Sequence, residues 1–280
     1  MSSVRGKVAV VTGAGSGIGR QLAFELARRG ARLALSDVDE DGLAATAERA
    51  RALGAELHTA RVDVADRAAV LAYAGAVADR FGVVHQVYNN AGVAGGGTVL
   101  DSDWSEYDRI LGVNLFGVLH GTKAFLPHLV ASGDGHVVNV SSLNGIMAQA
   151  SINAYSASKF AVRGFTEALR SEMLIAGHPV QVTVVHPGGV RTNIATAALE
   201  LARERGELTA EDEARTRTYN EKLLRMPPEQ AARIVVDGVE AGKPRVLVGN
   251  DAKAVDLLVR LLPRTYPRLA ARLQQRATRA

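Results

Sequence analysis

One stretch constrains the fold more than any other. In "VVTGAGSGIGRQL", residues 10–22, a β-branched apolar run breaks into closely spaced glycines and then opens an amphipathic helical pattern. Gly13, Gly15, Gly17 and Gly19 fall within seven residues. A strand that turns through such a loop into a helix brings bare backbone up to the helix N-terminus. Unpaired N–H groups and the positive dipole end there favour an anion such as a pyrophosphate. The spacing is not G-x-G-x-x-G, because Ile18 stands where the third glycine would fall. It is T-G-x-x-x-G-x-G, on Thr12, Gly13, Gly17 and Gly19. The plain alternative is a glycine-rich turn that holds no ligand.

The rest of the chain repeats the same grammar. Short β-branched runs at 7–12, 32–36, 56–62, 84–89, 136–141, 180–185 and 245–249 read as strands. Between them, Ala/Leu/Glu/Arg-rich segments at 18–29, 39–53, 66–81, 104–131, 155–176 and 228–241 read as helices. Strands alternating with helices of this length predict βαβ units and a parallel sheet. Nearly continuous apolar strands fit a sheet covered on both faces. The fold class is α/β: one doubly wound domain over 1–250, with seven parallel strands and helices on both faces. The segment 193–226 is long and polar, and reads either as a lid or as a solvated surface excursion.

Composition closes several alternatives. The chain of 280 residues has no cysteine, which excludes thiol chemistry, cysteine-based zinc sites and a disulfide framework. Its seven histidines show no metal-ligand spacing, and no metal is assigned; His186, ahead of Pro187, reads as structural. No apolar run approaches a membrane span, and the apolar run near the N-terminus is too short for a signal peptide. The expected setting is the cytoplasm. The net charge is +4, but Lys253 to Ala280 hold one Lys, six Arg and one Asp, or +6, so the other 252 residues carry −2. The basic character therefore sits in the tail, and no nucleic-acid partner is expected.

Two further features suggest chemistry. Asp37 ends the second strand, 18 residues after Gly19. A carboxylate there can accept hydrogen bonds from the ribose hydroxyls of NAD, and it would repel the 2′-phosphate of NADP. Neither Ser16 nor Val38 is basic, so nothing offsets that repulsion. Asp37 could otherwise be a helix cap in "SDVDEDG". Tyr155 and Lys159, four residues apart in "NAYSASKFAV", share one helix face. They could be an ordinary amphipathic pair.

Taken together, these residues resemble the short-chain dehydrogenase/reductase family over roughly residues 5–250. The motifs are "TGAGSGIG" at 12–19, the acidic end of the second strand, "VDV" at 62–64 and "NNAG" at 89–92. Asn114 follows in "VNLFG", then Ser142 in "NVSS", "YSASK" at 155–159 and "HPGGVRT" at 186–192. The resemblance implies a Rossmann-type sheet in the order 3-2-1-4-5-6-7, with NAD across its carboxyl edge. It implies cofactor contacts at Gly13, Ser16, Gly17, Ile18, Gly19 and Asp37, at Asp63 and Val64 beside the adenine, and at Asn90, Ala91 and Gly92. Tyr155, Lys159, Pro187, Val190 and Thr192 complete that set, with Thr192 at the carboxamide.

The catalytic set implied is Asn114, Ser142, Tyr155 and Lys159. A free phenol has a pKa near 10, too high for a base at neutral pH, and a neighbouring ammonium favours the phenolate. Tyr155 is then the group that takes the proton of a substrate hydroxyl. Ser142 holds the same oxygen. Lys159 also holds the ribose, and Asn114 orders a water in a proton relay. The function expected is oxidoreduction between a secondary alcohol and its ketone. A non-catalytic dinucleotide-binding module and a non-redox enzyme of this fold remain as alternatives. Leu143, Ile146, Met147, Gln149 and Asn153, with the glycines at 95–97 and the 193–226 segment, would line a pocket for a mid-sized, partly apolar substrate.

The resemblance also implies a homo-oligomer, tetramer or dimer, through helices at 107–131 and 155–176. It covers the tail least. Residues 251–280 form a basic helical extension, with Arg260, Arg264, Arg268, Arg272 and Arg276 beside Leu257, Leu258, Leu261, Leu262, Leu269 and Leu273. Pro263 and Pro267 predict a helix ending near Leu262 and another from about Pro267. Packing on a neighbouring subunit is the favoured use, and peripheral contact with an anionic membrane the less favoured one.

Overall fold

The computed structural model describes residues 3–204, 224–268 and 270–272. Seven strands form one parallel sheet: β1 (Val8–Thr12), β2 (Arg32–Asp37), β3 (Leu57–Arg61), β4 (Gln86–Asn89), β5 (Gly135–Val140), β6 (Val180–Pro187) and β7 (Arg245–Val248). Their order is β3-β2-β1-β4-β5-β6-β7, as expected from the sequence. The order reverses between β1 and β4, and that switch point leaves a crevice at the carboxyl edge of the sheet.

Alternation along each strand fills both faces. On β1, Ala9 and Val11 join one apolar cluster while Val8 and Val10 join the other. The first cluster is covered by α1 (Gly17–Arg28), α2 (Glu40–Ala52) and α8 (Pro228–Glu240). The second is covered by α3 (Arg67–Phe81), α5 (Gly117–Ala131) and α6 (Asn153–Ala176). Asp39 and Asp66 cap α2 and α3 through backbone N–H groups of their first turns, as short acidic side chains do.

A buried polar chain ties the second layer to the sheet. The Asn89 amide donates to Thr122 Oγ1 at 3.0 Å and to Asn139 Oδ1 at 2.8 Å, and Asn139 donates to Thr166 Oγ1 at 3.0 Å. Gly121 makes room for it, since a Cβ there would overlap Asn89 Oδ1.

Three expectations need correction or qualification. The segment 104–131 is not one helix: α4 (Trp104–Leu111) and α5 are joined by a π-helical turn at Gly112–Phe116, with Asn114 at its centre. The segment 193–226 is not uniformly a polar excursion. Its first part is α7 (Ile194–Glu204), while 205–223 fall outside the described residues, so the lid expectation lies largely there. The tail begins with α9 (Asn250–Leu261), is helical again from Tyr266, and its Leu269 and residues 273–280 lie outside the described part. No helix among the described residues is long and apolar enough to cross a membrane.

Candidate active site

The glycine loop sits at the carboxyl end of β1 and is fastened from two sides. Gly13 adopts φ 66°, and a Cβ on it would lie 2.7 Å from the Ala91 backbone. Thr12 Oγ1 accepts from the backbone N–H groups of Asn90 (3.0 Å) and Ala91 (3.1 Å), while the Asn90 amide donates to the Thr12 and Gly13 carbonyls. The "NNAG" strand exit is thereby locked to the loop. From the other side, Thr46 on α2 donates to the Ala14 carbonyl at 2.9 Å, and Arg20 reaches the Gly15 and Gly42 carbonyls and Thr46 Oγ1.

Sequence reasoning missed Arg20 and Thr46. Arg20 directly follows Gly19, and Thr46 is a fully buried hydroxyl in an otherwise ordinary helix. Only their contacts across 26 residues of chain give them a role.

The other expected cofactor residues take distinct positions. Ser16 is the N-cap of α1, with no capping bond from its side chain. Ile18 leans on the core. The Asp37 carboxylate accepts from Gly15 N–H at 2.7 Å and from Asp39 N–H at 3.0 Å, so it lies beside the loop and is not the cap of α2. Asp63 accepts from Ala65 N–H in the turn after β3. The Val64 side chain turns inward against Gly117, and its carbonyl bonds His120 Nδ1 at 3.0 Å. Thr192 lies against Gly17, with its methyl 3.4 Å from where a Cβ there would stand.

Pro187 ends β6 and Val190 bridges to Met226, which holds the 186–192 loop. Asp251 at the start of α9 also braces that loop, accepting from Gly189 N–H at 2.6 Å. The sequence reading did not single it out.

The four expected catalytic residues arrive on three neighbouring elements. Ser142 follows β5 and caps a 3-10 turn at Leu143–Gly145, its Oγ accepting from Asn144 N–H at 3.1 Å. Tyr155 and Lys159 lie in the first turns of α6. The exit of β5 packs directly on α6: Ser141 Oγ donates to the Lys159 carbonyl at 2.8 Å, and a Cβ on Gly145 would lie 2.7 Å from that carbonyl oxygen. Below Ser142, His186 Nδ1–H donates to the Ser142 carbonyl at 2.8 Å, joining β6 to the serine. Burial holds that imidazole neutral, pushing it down to about 4.

Lys159 is buried, and its Nζ donates to the Val140 carbonyl at 3.1 Å. It stands 5.7 Å from the centre of the Tyr155 ring. Asn114 completes the group. Its amide is engaged on both sides, accepting from Val93 N–H at 2.8 Å and donating to the Val93 carbonyl at 2.9 Å and to Ser158 Oγ at 3.3 Å. Gly92 lies between Asn114 and Lys159, where a Cβ would stand 3.2 Å from one and 3.4 Å from the other. π-Helical turns of this kind are commonly found at functional sites.

Beside this group, Gly97 bridges Ile152 and accepts from the Asn153 amide at 2.9 Å, bringing the 95–97 glycines against the start of α6. Of the expected pocket residues, Ile146 is buried, whereas Leu143 and Met147 are partly open.

Burial lowers the Lys159 amine from its ordinary 10.5 to about 8. Between these pH values the unfolded chain binds the extra proton, so the stability contributed by Lys159 rises with pH across that window. In urea titrations the wild type is expected to gain on Lys159→Met by up to about 3 kcal/mol from pH 8 to 10.5, and the two should run parallel below pH 8. A gap that ignores pH would contradict the burial of a charged amine.

The short chain dehydrogenase family model matches residues 7–201. The SadH protein of Mycobacterium tuberculosis, named as an oxidoreductase, is 55% identical over 271 residues, covering 97% of this chain and 96% of its own. A trans-4-hydroxycyclohexanecarboxylate dehydrogenase of Sinomonas cyclohexanicum is 33% identical over 248 residues, 84% of this chain and 92% of its own. Among solved structures, a short chain dehydrogenase/reductase from Burkholderia phymatum in complex with NAD superposes with a TM-score of 0.85 at 34% identity, covering 94% of this chain and 95% of that one. With this fold and these motifs in place, the chain belongs to the short-chain dehydrogenase/reductase family of oxidoreductases.

Proposed function

We propose that this chain is an NAD-dependent oxidoreductase that interconverts a secondary alcohol and its ketone at Ser142, Tyr155 and Lys159. The observation that carries the reading is Lys159. Its buried amine stands 5.7 Å from the centre of the Tyr155 ring, and although a module that only bound a dinucleotide could use a lysine on the ribose, it would need no ammonium set beside a phenol. The loop fits a dinucleotide because it turns straight into the N-terminus of α1, whose free N–H groups suit a diphosphate, and it keeps that turn only with glycine at 13 and 19, where a Cβ would meet the Ala91 backbone or the Gly13 carbonyl. Asp37 lies at its rim. When bound, the nicotinamide takes or gives the hydride.

The chain's own groups handle the proton and the position. Tyr155 Oη takes the proton of the substrate hydroxyl in oxidation and returns it in reduction. Ser142 Oγ donates to the same substrate oxygen and fixes where its charge develops. The Lys159 ammonium favours the phenolate form of Tyr155. The Asn114 side chain is fully engaged, so its part is to hold the π-helical turn that shapes the approach to Lys159, and any relay water meets the main chain there. The Sinomonas relative's name describes a secondary ring alcohol, and the mixed lining near Gly97, Leu143 and Met147 suits a partly apolar substrate. The direct test is a panel of secondary alcohols with NAD⁺, read by NADH formation. No turnover across a broad panel, in either direction, would sink the reading.

Preference for NAD(H) over NADP(H) rests on Asp37. Its carboxylate would face a 2′-phosphate, and the neighbouring Val38 is exposed and uncharged. Direct titration of both cofactors is expected to favour NADH, and Asp37→Ala is expected to narrow the gap by about tenfold, the scale of one removed charge repulsion of about 1–2 kcal/mol. Tighter NADPH binding by the wild type would overturn the assignment.

The proposed assembly is a homo-oligomer, tetramer or dimer, through α5 and α6. Phe116 lies beside the first and Phe160 on the second, and both are exposed in the single chain.

A further inference from the structure

The loop that follows β4 turns its apolar residues outward. Val99 is 73%, Leu100 95% and Trp104 80% exposed, and the Trp104 ring leans on Tyr107 at 5.6 Å. The same stretch carries a net −3 over residues 98–109: Asp101, Asp103 and Asp108 are exposed, while Glu106 turns inward and pairs with Arg109. The loop forms the rim of the site, since Gly97 is bonded to Asn153, two residues before Tyr155. A second exposed surface carries the opposite charge. On α9, Leu257 (58% exposed) and Leu261 (69%) lie one turn apart, and Arg264, Arg268 and Arg272 follow at intervals of four. Contiguous exposed apolar side chains rimmed by charge mark interaction surfaces.

Within one chain the two surfaces point to opposite ends of the sheet. The 98–104 loop leaves the carboxyl edge. The helix α9 starts at that edge but runs back, because Asp256 pairs with Arg245, at the start of β7, at 3.1 Å. Strand β7 is also the third strand beyond β4 in the sheet, about 14 Å away at the usual strand spacing. The two surfaces can meet only between copies.

We propose that the leucine face of α9 and the arginines after it dock on the Val99–Leu100–Trp104 loop of a second copy, at the mouth of that copy's site. The pairing is reciprocal, so a two-fold dimer satisfies both extensions at once. Charge selects this occupant. An anionic bilayer would suit the arginines but repel the acidic loop. Residues 205–223 of the same chain hold five acidic and four basic side chains, and so do not complement that loop. The pairing depends on neither the cofactor nor the substrate, so it stands or falls apart from the redox reading.

The sequence supplies its own reporters: Trp104 is the only tryptophan, and there is no native cysteine. In the full-length protein Trp104 emission is expected to be blue-shifted and several-fold less open to acrylamide than in an Arg264→Glu, Arg268→Glu, Arg272→Glu variant. Adding Asp101→Arg and Asp108→Arg to that variant is expected to restore the shielding. Subunits carrying Leu100→Cys, mixed with subunits carrying Leu261→Cys, are expected to join through a short bismaleimide. The proposal is overturned by a Trp104 that is equally accessible in wild type and variant, or by shielding that the charge reversal leaves intact. It is also overturned by mixed subunits that do not cross-link, or by arginine-dependent binding to phosphatidylserine vesicles with Trp104 still open.

Discussion

Tyr155→Phe is expected to lower kcat by about a thousandfold while leaving NADH affinity within about twofold, since a positioned proton-transfer group contributes roughly 10²–10⁴ in rate. The substitution deletes one oxygen and keeps the ring, so the packing of α6 against the β5 exit has no reason to change. Neighbouring substitutions make the result specific. Lys159→Ala is expected to weaken both turnover and cofactor binding, because it removes the charge near the phenol and the donor to the Val140 carbonyl. Ser142→Ala is expected to lose rate and also about 1 kcal/mol of stability, since its Oγ caps the 143–145 turn. Steady-state kinetics, cofactor titration and urea midpoints separate the three patterns. A Tyr155→Phe enzyme that kept most of its activity would remove the acid–base assignment outright.

The contrast between these side chains also explains which parts of the molecule the sequence revealed. Strands such as β1 and β5 are buried on both faces, and β-branched runs bounded by glycine or polar turns announce them directly. Their order came from the motifs, because pairing is a long-range property that no local pattern encodes. The join between α4 and α5 was invisible: the segment reads as continuous helix, and its π-helical turn is set by Asn114 bonding to Val93, 21 residues earlier. The helix α7 was obscured by averaging, since the apolar start of "IATAALELARE" was read together with the charged residues that follow it. Residues that touch a substrate or cofactor belong to short recurring motifs. Of those that hold them, Arg20, Thr46 and Asp251 act across gaps of 26 to 62 residues and carry no local signal, whereas His186, which bonds Ser142 across 44 residues, opens a quoted motif and reads as structural from the sequence.

Gly19→Ala is expected to abolish measurable dinucleotide binding and to cost roughly 2–4 kcal/mol of stability, at or above the usual range for overpacking. Gly19 lies in the first turn of α1, where the helix crosses the loop it has just left. A Cβ there would overlap the Gly13 carbonyl oxygen and stand 2.5 Å from the Asn90 amide. Neither neighbour can yield cheaply. Gly13 is fixed against the Ala91 backbone, and the Asn90 amide is engaged on the Thr12 and Gly13 carbonyls. The helix must therefore move, and with it the N-terminal N–H groups that would face the diphosphate. Two other glycines of the loop supply the scale. At Gly17 a Cβ meets nothing nearer than the Thr192 methyl, at 3.4 Å, so Ala there is penalised chiefly for φ 52°, at about 1 kcal/mol. At Gly15 a Cβ would press on the Asp37 carboxylate at 2.8 Å, an end that can swing aside, so Gly15→Ala is expected to weaken NADH binding with little loss of stability. The stability order expected from urea midpoints is therefore Gly15→Ala, Gly17→Ala, then Gly19→Ala as the least stable. A Gly19→Ala protein that bound NADH normally would show that the loop yields where its contacts say it cannot, and the cradle would have to be placed elsewhere along the sheet edge.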